Sequence, residues 1–288
     1  YFVAAAESGG MREAARLSHV AQPSLSKQIR KLEEEIGEPL LERSSRGVTL
    51  TRAGRSLLPR ARAILAEVDD APRLVRDDLA NQPSELRIGA IATMAPYLLP
   101  AMVRHTRKHA PAVSVTLRED YTERLVADVA TGSLDVAIVS TPITQPRVTV
   151  QVLGQEPLLV ALPSKHKLAK RKSVSLNDVR DEPIIVLSEL HCLGQQIADY
   201  CIAQQIGRDV ICRTTQLATV LAMVRNGLGI AMVPKMGAAS PGVTFLPIRH
   251  REGETPSREV AAAWQASRPK HPAALTAVTT LANSLRAT

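Results

Sequence analysis

Ser18-His19-Val20-Ala21-Gln22-Pro23-Ser24-Leu25-Ser26-Lys27-Gln28-Ile29-Arg30 is the stretch that decides the fold of this chain. It reads as the turn and second helix of a helix-turn-helix. Ahead of it, Met11 to Leu17 carries small and apolar residues at helical spacing. Ala14, Ala15 and Leu17 are expected to face a core while Arg12 and Arg16 face water. Pro23 fits the first helical position, where its missing N–H costs nothing. Leu25, Ile29 and Leu32 then form one apolar stripe, and Gln22, Ser24, Ser26, Lys27 and Arg30 crowd the start and the opposite face. A helix that buries one stripe and offers short polar donors plus cations in its N-terminal half suits a major groove. The same residues also fit an ordinary amphipathic helix pair, and the next segment separates the two.

Leu40-Leu41-Glu42-Arg43 and Val48-Thr49-Leu50 are strand-like, and Ser44-Ser45-Arg46-Gly47 between them is a turn with a cation at its tip. This is the pattern of a wing, with Arg46 and Arg43 expected at a minor groove. Thr51 is placed to cap a long helix from Arg52 to about Asn81, whose apolar face holds Leu57, Leu58, Ala61, Ile64, Leu65 and Val68. A helix this long beside so small a domain has little of its own chain to pack on, so dimerisation is its expected role. Pro59 and Pro72 predict kinks or a break.

These pieces resemble the LysR-type transcriptional regulators. The matching residues are Ala14-Ala15-Arg16-Leu17, Gln22-Pro23-Ser24-Leu25-Ser26, Ile29-Arg30-Lys31-Leu32-Glu33, Gly37 with Leu40-Leu41-Glu42-Arg43, and Leu50-Thr51-Arg52-Ala53-Gly54. The likeness continues more loosely to the C-terminus. It implies an α-helical winged helix-turn-helix domain, a long linker helix and a two-lobed α/β effector domain like the periplasmic binding proteins. The implied partners are double-stranded promoter DNA, further copies of the chain as a homodimer or homotetramer, and RNA polymerase. The implied protein is not an enzyme and needs no cofactor or metal. The chain opens at Tyr1, inside the first helical pattern, so a few residues are expected to precede it.

A length of 288 residues suits two or three modest domains, and two phenylalanines with one tryptophan leave the core aliphatic. No apolar run approaches the roughly 18 residues of a membrane span, and no signal peptide is visible, so the cytoplasm is the expected compartment. Three cysteines do not make a secreted disulfide framework. The net charge is +8, yet residues 1–82 hold 13 Lys/Arg against 12 Asp/Glu while 83–288 hold 23 against 16. The surplus therefore lies outside the expected DNA-binding part, although a basic face survives between Arg12 and Arg62, where the balance is 11 to 6. Spacing, rather than net charge, carries the case for DNA. The run Lys165, Lys167, Lys170, Arg171, Lys172 is expected to be a solvated loop.

From Leu86 onward strands and helices alternate, which predicts parallel-type sheets covered on both faces. Crossings between two lobes are expected at Leu153-Gly154-Gln155-Glu156-Pro157 and at Arg251 to Pro256. The expected division is a DNA-binding domain at 1–51, a linker helix at 52–83 and an effector domain at 84–288. Lobe I takes 84–154 and 257–288, and lobe II takes 155–256. Ligands in open α/β sheets collect beyond the carboxyl ends of strands. Thr93, Thr122, Ser140 and Thr141 fall there, although each also fits a plain helix or turn cap.

The sharpest chemical feature is His191-Cys192-Leu193-Gly194-Gln195-Gln196-Ile197-Ala198-Asp199-Tyr200-Cys201. A cysteine at a helix start beside an imidazole favours the reactive thiolate. On one continuous helix, nine residues separate the two thiols by about 13 Å of rise. A disulfide tolerates about 7 Å between Cα atoms, so bonding this pair would require the helix to unwind. Two inert structural thiols fit the spacing equally. The segment, together with Ala95-Pro96-Tyr97-Leu98-Leu99-Pro100, resembles the OxyR-type hydrogen peroxide sensors within the LysR group. That resemblance implies Cys192 as the peroxidatic thiol, Cys201 as the resolving thiol, and His191, Thr93 and Thr122 around the peroxide. Gly194 and Gln195 stand where the resemblance would place Arg and Asp. Ile211 and Cys212 stand where it would place a second histidine, and Cys212 is expected to be a packed strand residue. A regulator with the same fold, sensing a small organic acid or aromatic metabolite between the lobes, also fits. A thiol peroxidase fits the cysteines but leaves the winged domain without a purpose.

Overall fold

A computed structural model describes residues 1–44, 47–79, 85–188, 192–203, 210–249 and 255–286. The chain divides into two compact units, Tyr1–Val75 and Arg76–Thr288. The first is built from α1 (Phe2–Ser8), α2 (Met11–Leu17), α3 (Gln22–Ile36), β1 (Leu41–Ser44), β2 (Gly47–Leu50) and α4 (Arg52–Leu79). Phe2, Ala5, Met11, Ala14, Ala15, Leu25, Ile29, Leu40 and Leu41 form its core. Leu17 does not join them and is 52% exposed. The buried stripe of α2 is centred on Met11, Ala14 and Ala15, and at about 100° per residue Leu17 sits roughly a third of a turn away.

The turn between α2 and α3 is made by His19 in the left-handed region at φ 54, where the sequence offers no glycine. Histidine tolerates this better than most side chains. His19 N donates to Arg16 O at 3.2 Å and Val20 N to Ala15 O at 3.0 Å, which redirects the chain into α3. At the far end of α3, Gly37 takes a left-handed cap at φ 79. Glu33 Oε1 accepts from Leu40 N at 2.8 Å and Leu41 N at 3.1 Å, so α3 carries the root of the wing. β1 and β2 pair antiparallel from Leu41↔Leu50 to Ser44↔Gly47. Thr51 caps α4 as expected, accepting from Gly54 N at 3.0 Å. α4 is one helix through Pro59 and Pro72, without the expected break. Each proline removes a single backbone bond that its neighbours bridge.

The second unit follows β3 (Glu85–Ile91), α5 (Ala95–His109), β4 (Ser114–Asp120), α6 (Thr122–Thr131), β5 (Val136–Ser140), β6 (Val148–Pro163), β7 (Val174–Ser175), α7 (Leu176–Val179), β8 (Ile184–Leu187), α8 (Cys192–Ala203), β9 (Val210–Thr214), α9 (Leu217–Arg225), β10 (Ala231–Pro234), a 3₁₀ turn at Lys235–Gly237, β11 (Val243–Arg249), β12 (Ser257–Gln265) and α10 (Pro272–Arg286). The main sheet runs β4-β3-β5-β12-β6-β11-β7 with β10 also on β6, and β8-β9 form a separate parallel pair. Two aliphatic cores result. One gathers around Leu86, Ile88, Ile138, Leu153 and Trp264, and the other around Val160, Leu162, Ile185, Val224 and Ile248.

The sheet corrects the expectation of parallel strands alone. β3 is parallel to β4 and β5, but β12 is antiparallel to β5 and to β6, and β10 and β11 are antiparallel to β6. The first expected crossing lies inside a strand. Leu153 to Pro157 is not a loop but the middle of β6, whose first half pairs with β12 and whose second half pairs with β10 and β11. The chain passes between lobes through hydrogen-bonded strands. Residues 251–254 of the second expected crossing lie outside the described residues.

An alanine at a helical glycine usually stabilises by about 1 kcal/mol. At Gly54 a Cβ would lie 2.1 Å from Leu40 O, a backbone atom that cannot swing aside. Gly54→Ala is therefore expected to destabilise by about 2 kcal/mol, read as a lowered melting temperature of the first unit. A neutral or raised value would show that α4 and the wing are not packed this closely.

Candidate functional site

Pro23 lies in the first turn of α3 just after Gln22, one position later than expected but still among the N–H groups that need no helical partner. Leu25 and Ile29 are buried, while Gln22, Pro23, Ser24, Lys27 and Arg30 are exposed and Ser26 is half-buried. Helical phase sets Pro23, Lys27 and Arg30 opposite the buried stripe. Arg43 lies in β1, and Arg46 lies outside the described residues. On α4, Leu57, Leu58 and Ala61 pack against the winged core, whereas Ile64, Leu65, Val68 and Val75 are exposed. The continuing apolar face is thus uncovered in the single chain.

In the second unit a buried polar chain lies where β6 and β12 run side by side. Arg258 faces Glu156 in the strand register, and their side chains are 0% and 4% exposed. Arg258 Nε donates to Glu156 Oε2 at 2.7 Å, Nη1 donates to Thr93 Oγ1 at 2.7 Å, and Nη2 donates to Thr93 O at 3.2 Å. Glu156 Oε1 accepts from Met236 N, in the 3₁₀ turn, at 2.7 Å. Because Thr93 Oγ1 already accepts from the guanidinium, its own proton is left to donate elsewhere. Burial raises the pKa of the nearby Tyr97 phenol, and the Glu156 charge raises it further against the opposing effect of Arg258.

The other expected pocket residues divide by what their hydroxyls do. Ile91 and Asp120 are register partners at the ends of β3 and β4, so Thr93 and Thr122 leave the same sheet edge at the same level. Thr122 Oγ1 is buried with no hydrogen-bond partner. Ser140 Oγ instead donates to Glu259 O at 2.9 Å, and Thr141 Oγ1 donates to Glu259 Oε2. Both hydroxyl protons are thereby engaged on β12. Gln155 Nε2 donates to the other Glu259 oxygen at 3.1 Å. Gln196 of α8 donates from Nε2 to Thr141 O at 2.8 Å, linking this helix to lobe I.

α8 begins at Cys192 and carries Cys201 on the same continuous helix. His191 lies outside the described residues. Leu193 and Ile197 are buried beneath the helix. Cys212 in β9 is half-buried and packs against the lobe II core, in the manner of a strand residue. Among the described residues, no three His, Cys, Asp or Glu side chains are grouped to hold a metal ion. No described helix is long and apolar enough to cross a membrane. In the basic run, Lys165, Lys167, Lys170, Arg171 and Lys172 are exposed. Lys167 pairs with Glu182 at 2.8 Å and Arg171 with Asp178 at 2.6 Å.

Residues 1–55 match the model of the bacterial regulatory helix-turn-helix protein, lysR family, and residues 80–286 match the LysR substrate binding domain. The chain belongs to the LysR family of transcriptional regulators. This family is a class of non-catalytic, DNA-binding regulators. Within it, the chain is closely related to the OxyR-type peroxide sensors. It is 36% identical over 279 residues to the hydrogen peroxide-inducible genes activator of Dickeya chrysanthemi, covering 93% of this chain and 88% of that protein. It is 36% identical over 252 residues to the DNA-binding transcriptional dual regulator OxyR of Escherichia coli, covering 86% and 82%. A full-length OxyR variant from Pseudomonas aeruginosa shares the fold with a TM-score of 0.68 and 29% identity, covering 99% of this chain and 95% of that one.

Sequence reasoning placed Thr93 and Thr122 at the sheet edge but missed Arg258, Glu156, Glu259 and Gln196. A signal was available, since Glu156 lies within one expected crossing and Arg258 just after the other. Removing one partner of a buried ion pair costs about 3–5 kcal/mol, whereas replacing both by apolar residues is far milder. Glu156→Leu and Arg258→Met are each expected to destabilise the effector unit by that amount, and the double variant by less than either. Urea unfolding followed through Trp264, the chain's one tryptophan, measures all three. Additive losses would mean the pair is not coupled.

Proposed function

We propose that this protein is a promoter-binding regulator that senses hydrogen peroxide through a Cys192–Cys201 thiol–disulfide switch. The carrying observation is that α8 starts at Cys192 and holds both cysteines on one unbroken helix. The helical rise puts them about 13 Å apart, beyond the roughly 7 Å that a disulfide allows. The Cys192 thiolate attacks one peroxide oxygen, the O–O bond breaks, and hydroxide leaves to be protonated to water. The sulfenic acid then condenses with the Cys201 thiol, releasing a second water as the S–S bond forms. The oxidised bond and the observed helix exclude each other, which is what makes the oxidation a switch.

The pocket chemistry supports a small, neutral oxidant. Thr93 offers a proton because Arg258 holds its oxygen, and Thr122 Oγ1 is unpartnered at the same sheet edge. An organic acid effector calls for an available cation, and Arg258 is already engaged by Glu156 and Thr93. Gln22, Pro23, Ser24, Ser26, Lys27 and Arg30 of α3, with Arg43 and Arg46 of the wing, form the proposed DNA face. The exposed stripe Ile64, Leu65, Val68 on α4 is the proposed seam between copies in a dimer or tetramer. The proposed division follows function: DNA binding at 1–51, linker at 52–83 and sensing at 84–288. RNA polymerase is the proposed downstream partner.

Stoichiometric peroxide added to the reduced protein is expected to give a Cys192–Cys201 disulfide by mass spectrometry, with an altered DNA footprint. Cys192→Ser abolishes both, and Cys201→Ser stalls at a sulfenic acid that dimedone traps. Thiols that stay free, or that oxidise without pattern, sink the peroxide reading and leave a metabolite-responsive regulator. On the DNA side, Lys27→Ala is expected to reduce the slope of log affinity against log salt by about one. An unchanged slope removes Lys27 from the phosphate contacts.

A further inference from the structure

Gly194 is buried in the first turn of α8, and the space around it is closed by backbone. A Cβ there would lie 2.1 Å from Ser188 O, 2.7 Å from Ser188 C and 2.8 Å from Leu187 O. None of these is the end of a flexible side chain. Ser188 is itself fixed, because its N–H donates to Thr214 O at 2.8 Å beside the Leu187↔Thr214 pair of β8 and β9. The helix therefore meets the end of the β8–β9 ladder at a separation that only glycine permits. On either side of this contact Leu193 is 0% exposed and Ile197 2%. Glycine weakens a helix by about 0.8–1 kcal/mol relative to alanine. Its presence here serves the close approach and not helicity.

We propose that Gly194 is a positioning residue of the redox switch: it seats the first turn of α8 on the end of β8 and so sets the barrier to disulfide closure. The proposal rests on the Cys192–Cys201 reading above. Closure requires this turn to leave its seat, together with Leu193 and Ile197. Attack of the Cys192 thiolate on peroxide does not. A larger side chain at 194 strains the seated helix and is relieved in the unwound one, so it shifts the balance toward the disulfide. Arginine, which the resemblance to peroxide sensors places at this position, cannot occupy this seat. The chain's departure at Gly194 is thus a change in how its sensor helix is held.

The test uses Gly194→Ala in the full-length protein. After a peroxide pulse, disulfide closure is expected to accelerate on the order of tenfold, the effect of modest overpacking. In a Cys201→Ser background, the rate of dimedone-trapped sulfenic acid at Cys192 should stay within about twofold of the unsubstituted position. In the reduced protein, amides of residues 195–203 should exchange hydrogen faster than in wild type. Ile197→Val loosens the same seat without a clash and keeps the fold, and it should speed closure about threefold. Unchanged closure and exchange in both variants overturn the proposal. So does a sulfenic step that accelerates as much as closure, because the glycine would then act on the chemistry. Should wild type form no disulfide, the switch reading fails by itself, and the exchange rates still decide whether Gly194 seats the helix.

Discussion

A fully buried guanidinium persists only where its charge is answered, and Arg258 is answered by Glu156 at 2.7 Å. The rest of the effector unit is arranged around that requirement. β6 and β12 must lie side by side in a fixed register for the two groups to meet. The remaining guanidinium donors then reach Thr93, and the second carboxylate oxygen reaches Met236 N. One ion pair therefore orients a hydroxyl in lobe I and holds a turn of lobe II. A pair of this kind adds little net stability over apolar residues of the same size, but it penalises every arrangement that separates its members.

The two units meet different physical demands. The winged unit keeps a small core, and its packing depends on close backbone approach, as at Gly54 and where Val48 N donates to Gly9 O at 2.8 Å. Its exposed cations are spread over α2, α3 and α4, and Lys27 and Arg30 lie on the face of α3 opposite its buried stripe, which suits a partner whose charge is dense and regular. The effector unit carries most of the excess positive charge but engages much of it internally. Asp178 shows this locally: the Ser175 N–H and hydroxyl, helped by Arg171, hold its pKa down to about 2. The cap on α7 is thus intact at neutral pH and is lost only as acid titrates that carboxylate.

What was legible in the sequence was what is local. The helix-turn-helix, the paired strands of the wing and the Thr51 cap follow from spacings of a few residues, and each appears in the structure. Leu17 failed because seven residues of helix leave the phase of a stripe poorly determined. The break allowed for at Pro59 and Pro72 is not made, because a helix that loses one backbone bond at a proline can be carried through by its neighbours. The Arg258–Glu156 bond spans 102 residues of chain, so no window of sequence contains it. Glu259 was hidden in the same way, its carboxylate being met by Thr141 and Gln155 from distant strands. Thr93 and Thr122 were found because strand ends are visible locally, whereas the availability of their hydroxyl protons was not.

β6 runs through both lobes as one strand, hydrogen-bonded to β12 along one stretch and to β10 and β11 along the next. Two lobes joined by free loops can swing like a clamshell at almost no cost in backbone hydrogen bonds. Here the ladder to β12 ends at Pro157 and the ladders to β10 and β11 begin at Leu158 and Leu159, so the lobes are joined through consecutive residues of one extended strand. Both sheets therefore take their direction from the same backbone trace, and a bend at that junction re-aims one relative to the other.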